Sequence, residues 1–225
     1  MRVRLLLIRF LRPNGKVNFL GKLDRDSSIL DVGCGNNSPY QVKSVVPHST
    51  YTGLDIGDYN QTKPNKADRY ILTSPDEFAR EVGKFNEEFD AVISSHNLEH
   101  CNDRYATFLA MLRATRVGGR MYVAFPSERS VSFPHRAGTL NYFDDSTHKD
   151  APPDFDRLLK MSLENGFEVL FATRGNQSWL LRLIGLLSEP ISRYKKKVLH
   201  GTWEYYGFES IIILKRVRLG SHQLQ

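Results

Sequence analysis

Two cysteines, Cys34 and Cys101, are all that the 225 residues contain. They make neither a disulfide framework nor a CxxC pair for a structural metal. No apolar run approaches the roughly 18 residues that a membrane span needs. The opening MRVRLLLIRF has only four consecutive apolar residues, with arginines on both sides. It lacks a full apolar h-region and a small-residue cleavage site, so it does not read as a signal peptide. Internal repeats and low-complexity segments are also missing. These absences point to a cytoplasmic chain without repeat architecture.

What is present suits one globular unit, expected over 1–225: 40% hydrophobic and 25% charged residues. The net charge of +6 is uneven. Residues 1–30 carry seven Lys/Arg against two Asp, and 174–218 carry nine Lys/Arg against three Glu. The centre, 31–173, is net acidic. Residues 1–26 read as a basic helical extension. A basic margin attracts phosphates or an anionic lipid surface, or is a solvated face.

Strand and helix patterns alternate along the chain. Apolar runs at 27–33, 51–56, 69–72, 89–96, 120–126, 167–173 and 208–217 read as seven strands. Helices are predicted over 75–85, 103–116 and 152–166, the second ended by Val117-Gly118-Gly119. Near-continuous apolar strands separated by helices predict an α/β fold, a mostly parallel seven-stranded sheet covered on both faces. Ligands of such sheets sit at the carboxyl ends of the strands. The polar, Gly-rich and acidic residues gather there: Gly33 to Ser38, Asp55, Ser95 to His100, and Ser127 to Asp150.

Ile29-Leu30-Asp31-Val32-Gly33-Cys34-Gly35-Asn36-Asn37 is the strongest local signal. A strand enters a Gly-x-Gly turn and a helix starts near Pro39. The glycines allow close approach of a ligand to the backbone. Asp55 follows Gly35 by twenty residues, at a strand end, where a carboxylate accepts ribose hydroxyls. A dinucleotide or S-adenosylmethionine fits this outline. Ser38 replaces the third glycine of the dinucleotide fingerprint. Asp31 lies where it would repel a pyrophosphate but tolerate a sulfonium and an ammonium. Charge sign therefore favours the sulfonium cofactor over a nicotinamide-dependent oxidoreductase.

LDVGCG, GLDI, FDAVISSHNLEHC and RVGGRMYVAFPS, in that order, resemble the motifs of class I S-adenosylmethionine-dependent methyltransferases. The quinone-type O-methyltransferases and the methyltransferases of polysaccharide gene clusters are the nearest groups in this resemblance. It covers residues 27–128 well and the late strands loosely. It implies a Rossmann-like fold, S-adenosyl-L-methionine as cofactor, and O-methylation of a small-molecule or glycan acceptor. A non-catalytic binding module of the same fold is opposed by the intact Gly33, Gly35 and Asp55. The implied cofactor site comprises Asp31, Gly33, Gly35, Asn37, Asp55, Ile56, Ser95 and His96. Residues Thr73 to Asp76 are expected near the adenine, with Asp76 capping the next helix. No Asn/Asp-Pro-Pro-Tyr-like tetrapeptide follows the fourth strand, and aromatic and basic residues do not alternate, so no nucleic-acid partner is expected.

Methyl transfer to a hydroxyl requires removal of its proton. The candidates are His100, Asp145 and His148, with His148 as base and Asp145 as its orienting carboxylate. His96, Glu99 and His100 are a conceivable metal set. In some quinone O-methyltransferases an acidic residue stands where His96 stands here, so no metal is expected. Residues 128–151 are too long and polar for a mere connection and are expected to shape the acceptor site. About 34 further residues, 174–207, separate the last two strands. Their apolar stretch from Trp179 to Leu187, then Pro190 and the basic Arg193 to Lys197, has three readings. It packs on its own domain, forms a homodimer interface, or lies on a membrane surface through 179–197.

Overall fold

Seven short segments rich in branched and aromatic residues form one sheet. They are β1 (Ser28–Val32), β2 (Thr50–Asp55), β3 (Arg69–Leu72), β4 (Phe89–Ser95), β5 (Thr115–Pro126), β6 (Phe167–Thr173) and β7 (Glu209–Arg216). The structure is a computed structural model and describes residues 2–176 and 178–218. Met1, Gln177 and 219–225, parts of the expected unit, lie outside the described residues. The strand order is β3-β2-β1-β4-β5-β7-β6. β7 is antiparallel to both neighbours, and the other neighbouring pairs are parallel. This is the mostly parallel Rossmann-like α/β architecture expected from the sequence.

Alternation along the strands builds two cores. Leu30, Val32, Val92, Met121, Val123, Ile212 and Leu214 face one layer. That layer holds α4 (Phe78–Val82), α5 (Arg104–Ala114) and α6 (Phe155–Glu164). Ile29, Ala91, Ile93, Tyr122, Ala124 and Ile211 face the other. Helices α2 (Lys16–Leu20) and α3 (Ser38–Val45) cover it. Chain order reverses between β1 and β4, which opens a crevice at their carboxyl ends.

Two local expectations change. Val117-Gly118-Gly119 does not end α5. The helix stops at Ala114, and β5 already starts at Thr115, which pairs with Phe89. The register then jumps to Ala91 opposite Arg120, so residues 116–119 bulge from the strand. Asp76 does not cap α4 with its side chain; it accepts a hydrogen bond from Asn102 Nδ2 at 2.8 Å.

The 174–207 insertion packs on its own domain with one face. It contains α7 (Trp179–Lys195), which continues through Pro190, and α8 (Thr202–Tyr206). Gly185 touches Gly201 so closely that a β-carbon at 185 would overlap the Gly201 carbonyl, and Gly201 itself has φ +80°. The insertion also clamps the 128–151 segment. Arg136, 3% exposed in its side chain, meets Glu189 with two hydrogen bonds of 2.7 and 2.6 Å and Ser192 Oγ at 2.6 Å. Trp203 Nε1 donates to the Thr139 carbonyl at 2.8 Å. Phe133, Leu140 and Phe208 form a small third core beneath. The two segments that most exceed plain connections thus stabilise each other.

Candidate active site

Gly33 enters the turn after β1 with φ +80°, and its amide donates to the Leu54 carbonyl at 2.8 Å. A β-carbon there would fall within the Asn97 side chain. Only glycine combines this backbone with that contact. At Gly35 a β-carbon would lie 3.4 Å from Asp55 Oδ2, so the carboxylate stands against the turn. Asp55 Oδ1 accepts from the Ile56 amide at 2.7 Å. Burial raises its pKa, and the amides of Ile56, Gly35 and Gly57 oppose that shift. Asn36 and Asn37 follow in left-handed conformation, then α3 begins with Pro39 in its first turn.

Asp31 lies buried beneath the turn. Its Oδ2 accepts from Ser38 Oγ at 2.5 Å and Tyr51 OH at 2.8 Å, and Oδ1 has no hydrogen-bond partner among the described residues. Burial raises its pKa against the pull of Lys16, whose Nζ donates to Ser38 Oγ at 3.0 Å. The Cys34 thiol reports the field in the turn. Its pKa is pushed up by burial, then by the charges of Asp31 and Asp55. Two carboxyl groups, Asp31 and Asp55, thus flank the turn, an arrangement that suits a cationic ligand better than a diphosphate.

The segment after β2 folds over this turn. Asn36 N donates to Tyr59 O at 2.9 Å, and Gln61 Nε2 donates to Cys34 O at 3.1 Å. Asn37 Oδ1 accepts from Lys63 N at 2.7 Å, so this expected cofactor residue holds the covering segment with its side chain. Ile56 packs against the first core. Ser95 ends β4 beside Ala124. Asn97, Tyr51 and Tyr59 were absent from the expected set. Asn97 had a local signal, since it lies inside HNLEH. The two tyrosines had none, because only the crossover brings them to the turn.

His96 goes elsewhere. It adopts φ +53°, and its ring is held between two carboxylates, Nδ1 with Glu99 Oε1 at 3.1 Å and Nε2 with Glu209 Oε1 at 3.0 Å. Phe208 stacks on it with centroids 6.2 Å apart. Burial opposes its charge, but the hydrogen bonds to Glu209 and Glu99 prevail and push its pKa to about 10. Glu209 is correspondingly lowered despite burial. Both ring nitrogens of His96 are thus engaged by Glu99 and Glu209, which takes the ring out of the conceivable metal set.

His100 and His148 come together, with ring centroids 4.8 Å apart. Asp145 does not orient His148 through a hydrogen bond. It accepts from Thr147 Oγ1 at 2.6 Å, and that oxygen contacts His100 Nδ1 at 2.8 Å. A hydroxyl has one proton. Thr147 donates it to Asp145, so it must accept from His100 Nδ1–H. His148 Nδ1 faces the Tyr142 carbonyl at 2.6 Å and must likewise carry its proton. With both Nδ1 atoms so engaged, Nε2 is the ring nitrogen left to act as an acceptor on each histidine. Burial lowers the pKa of His100, with the His148 charge adding to that effect. Glu99, fully buried with Oε2 unpartnered among the described residues, completes a group whose ligand atoms lie within 4.8 Å of one another. Glu99, His100 and His148 thus have the donor chemistry to hold a divalent cation, in place of the set with His96.

Comparison with known proteins gives the same outline. A family model described as a methyltransferase domain matches residues 6–210. The uncharacterized protein MJ0906 of Methanocaldococcus jannaschii is 29% identical over 110 residues, 46% of this chain and 29% of that relative. The match thus spans less than a third of that relative's length. The Haloferax volcanii complex between the Trm112 methyltransferase activator and a methyltransferase contains a similar chain. Its TM-score is 0.63 at 12% identity, over 96% of this chain and 94% of that one. Haemonchus contortus phosphoethanolamine N-methyltransferase 2, solved with S-adenosyl-L-methionine, has a TM-score of 0.58 at 15% identity, over 96% of this chain and 52% of that one. The glycine turn with its flanking carboxylates fits a sulfonium nucleoside: close backbone, negative field, and Asp55 placed for a diol. The chain belongs to the methyltransferase-domain family.

Proposed function

We propose that the enzyme methylates a hydroxyl of a small-molecule or glycan acceptor, with His100 taking the hydroxyl proton. The observation that carries this reading is the His100–His148 pair, two imidazoles in contact whose Nδ1 atoms are held by fixed partners, which leaves Nε2 as the acceptor. When bound, the cofactor supplies an electrophilic methyl group on a sulfonium. Gly33 and Gly35 border it, Asp55 accepts the ribose hydroxyls, and Asp31 and Asp55 supply the negative field. His100 receives the proton at Nε2. The Asp145–Thr147 relay then stabilises the imidazolium, which makes Asp145 a positioning residue. Glu99 is held in place by His96 beside the pair.

An acceptor panel with isotopically labelled cofactor tests the proposal. Hydroxyl-bearing sugars and phenols are expected to take up label as acid-stable ethers, and matched amines are not. Label found only on nitrogen would overturn the O-methyl reading. The cofactor placement is tested separately. Asp55→Ala is expected to weaken S-adenosylmethionine binding by roughly ten- to a hundredfold in calorimetry, the worth of a charged hydrogen bond. Its melting temperature should change little. An unchanged dissociation constant would remove Asp55 from the ribose site.

A further inference from the structure

Helix α7 is built inside out for a helix on a soluble domain. Its inner face uses Leu181, Gly185 and Ser192. Its large side chains point outward: Trp179 is 72% exposed, Leu187 71% and Tyr194 88%, with Leu183, Leu186 and Ile191 exposed between them. These positions recur every three to four residues and make one stripe. The burial of such a stripe would normally drive a helix onto its domain. Here the contact that holds the helix is made by glycine and serine, and the apolar stripe is left over. Ser178 Oγ donates to the Leu11 carbonyl at 2.5 Å, which ties the start of α7 to the end of α1 (Arg2–Leu11). Leu7 and Phe10 of α1 are exposed as well.

Charge selects the occupant. Arg182, Arg193 and Lys195 of α7 are exposed, as are Lys196 and Lys197 just beyond its end. The one acidic residue of α7, Glu189, turns inward to Arg136. A twofold pairing of this face with a second copy would set like charges against like. An anionic lipid surface takes both halves of the pattern, leucines and isoleucine below the headgroups and cations among them. Trp179 and Tyr194 at the two ends suit the wet boundary. No helix among the described residues is long and apolar enough to cross a bilayer, so the contact is peripheral. We propose that the outer face of α7 docks on an anionic membrane surface. This goes beyond the catalytic reading and does not depend on which atom is methylated.

Vesicle co-sedimentation of the full chain tests it. The protein is expected to sediment with phosphatidylglycerol-containing vesicles at low salt and to stay in solution with pure phosphatidylcholine. High salt should release it. Arg193→Gln combined with Lys195→Gln and Lys197→Gln should weaken binding by roughly fivefold per cation removed. Leu183→Glu with Leu187→Glu should abolish it while cofactor affinity and melting temperature hold, because both side chains are exposed. Three results would overturn the proposal. They are wild-type protein that ignores anionic vesicles at low salt, variants that bind as well as wild type, or a dimer lost in the leucine variant without any vesicle binding.

Discussion

His100→Ala is expected to lower kcat by about 10²- to 10⁴-fold, the range typical of a positioned general base, while S-adenosylmethionine affinity stays as in wild type. The argument rests on tautomers. Thr147 passes its proton to Asp145 and accepts the His100 Nδ1–H, so His100 Nε2 is the basic atom. Its pKa is lowered by burial, so it is unprotonated at neutral pH. His148→Ala should also reduce kcat, because His148 walls the same side of the ring. Asp145→Asn separates base from scaffold. It should leave KM near wild type and move the acidic limb of the pH–rate profile downward, since imidazolium loses its relayed carboxylate. Full activity in His100→Ala would eliminate it as the base. Wild-type activity that vanishes on chelation with EDTA and returns with a divalent ion, together with loss of that ion's binding in His100→Ala, would assign Glu99, His100 and His148 to a metal instead.

His96→Leu is expected to cost about 3–5 kcal/mol of stability, the usual consequence of leaving buried charges without their partner. Two carboxylates depend on the ring, Glu99 with no exposed side-chain surface and Glu209 with little. The same triad predicts a pH dependence. The folded-state pKa of His96 is raised from 6.5 to about 10. Its contribution is therefore complete below about 6.5, declines as pH rises, and is gone once pH passes about 10. Glu209 has a lowered pKa, so its share is present above its unfolded value and is lost as pH falls. Urea melts of wild type should show stability dropping from pH 7 to 10, and His96→Leu should flatten that slope. A wild-type protein equally stable at pH 7 and 10 would show that His96 is not a buried imidazolium.

The sheet was legible because its signal is local. Ile29 to Val32, Ala91 to Ile93 and Met121 to Phe125 are short apolar runs whose alternation reports burial on two faces. The glycine turn was legible for a similar reason: the Gly-x-Gly sequence ends a strand, and Asp55 follows at the end of the next one. The bulge after Thr115 was not, because Val117-Gly118-Gly119 carries the same turn chemistry whether a helix ends there or a strand bends. Asp145 was placed in the right cluster with the wrong partner. It stands three positions before His148, but the path through Thr147 leads to a ring 47 positions away from Thr147 in sequence.

By itself the sequence determined the order of strands and helices and the Gly-x-Gly turn beside Asp31, because each follows from neighbours a few residues apart. Only the tertiary structure decided that His96 answers to Glu209, 113 residues distant. It alone turned the apolar side of α7 outward and locked Arg136 under Glu189. Backbone periodicity is written residue by residue, whereas the partner of a buried charge is chosen by whichever remote segment the closed sheet brings within hydrogen-bonding distance.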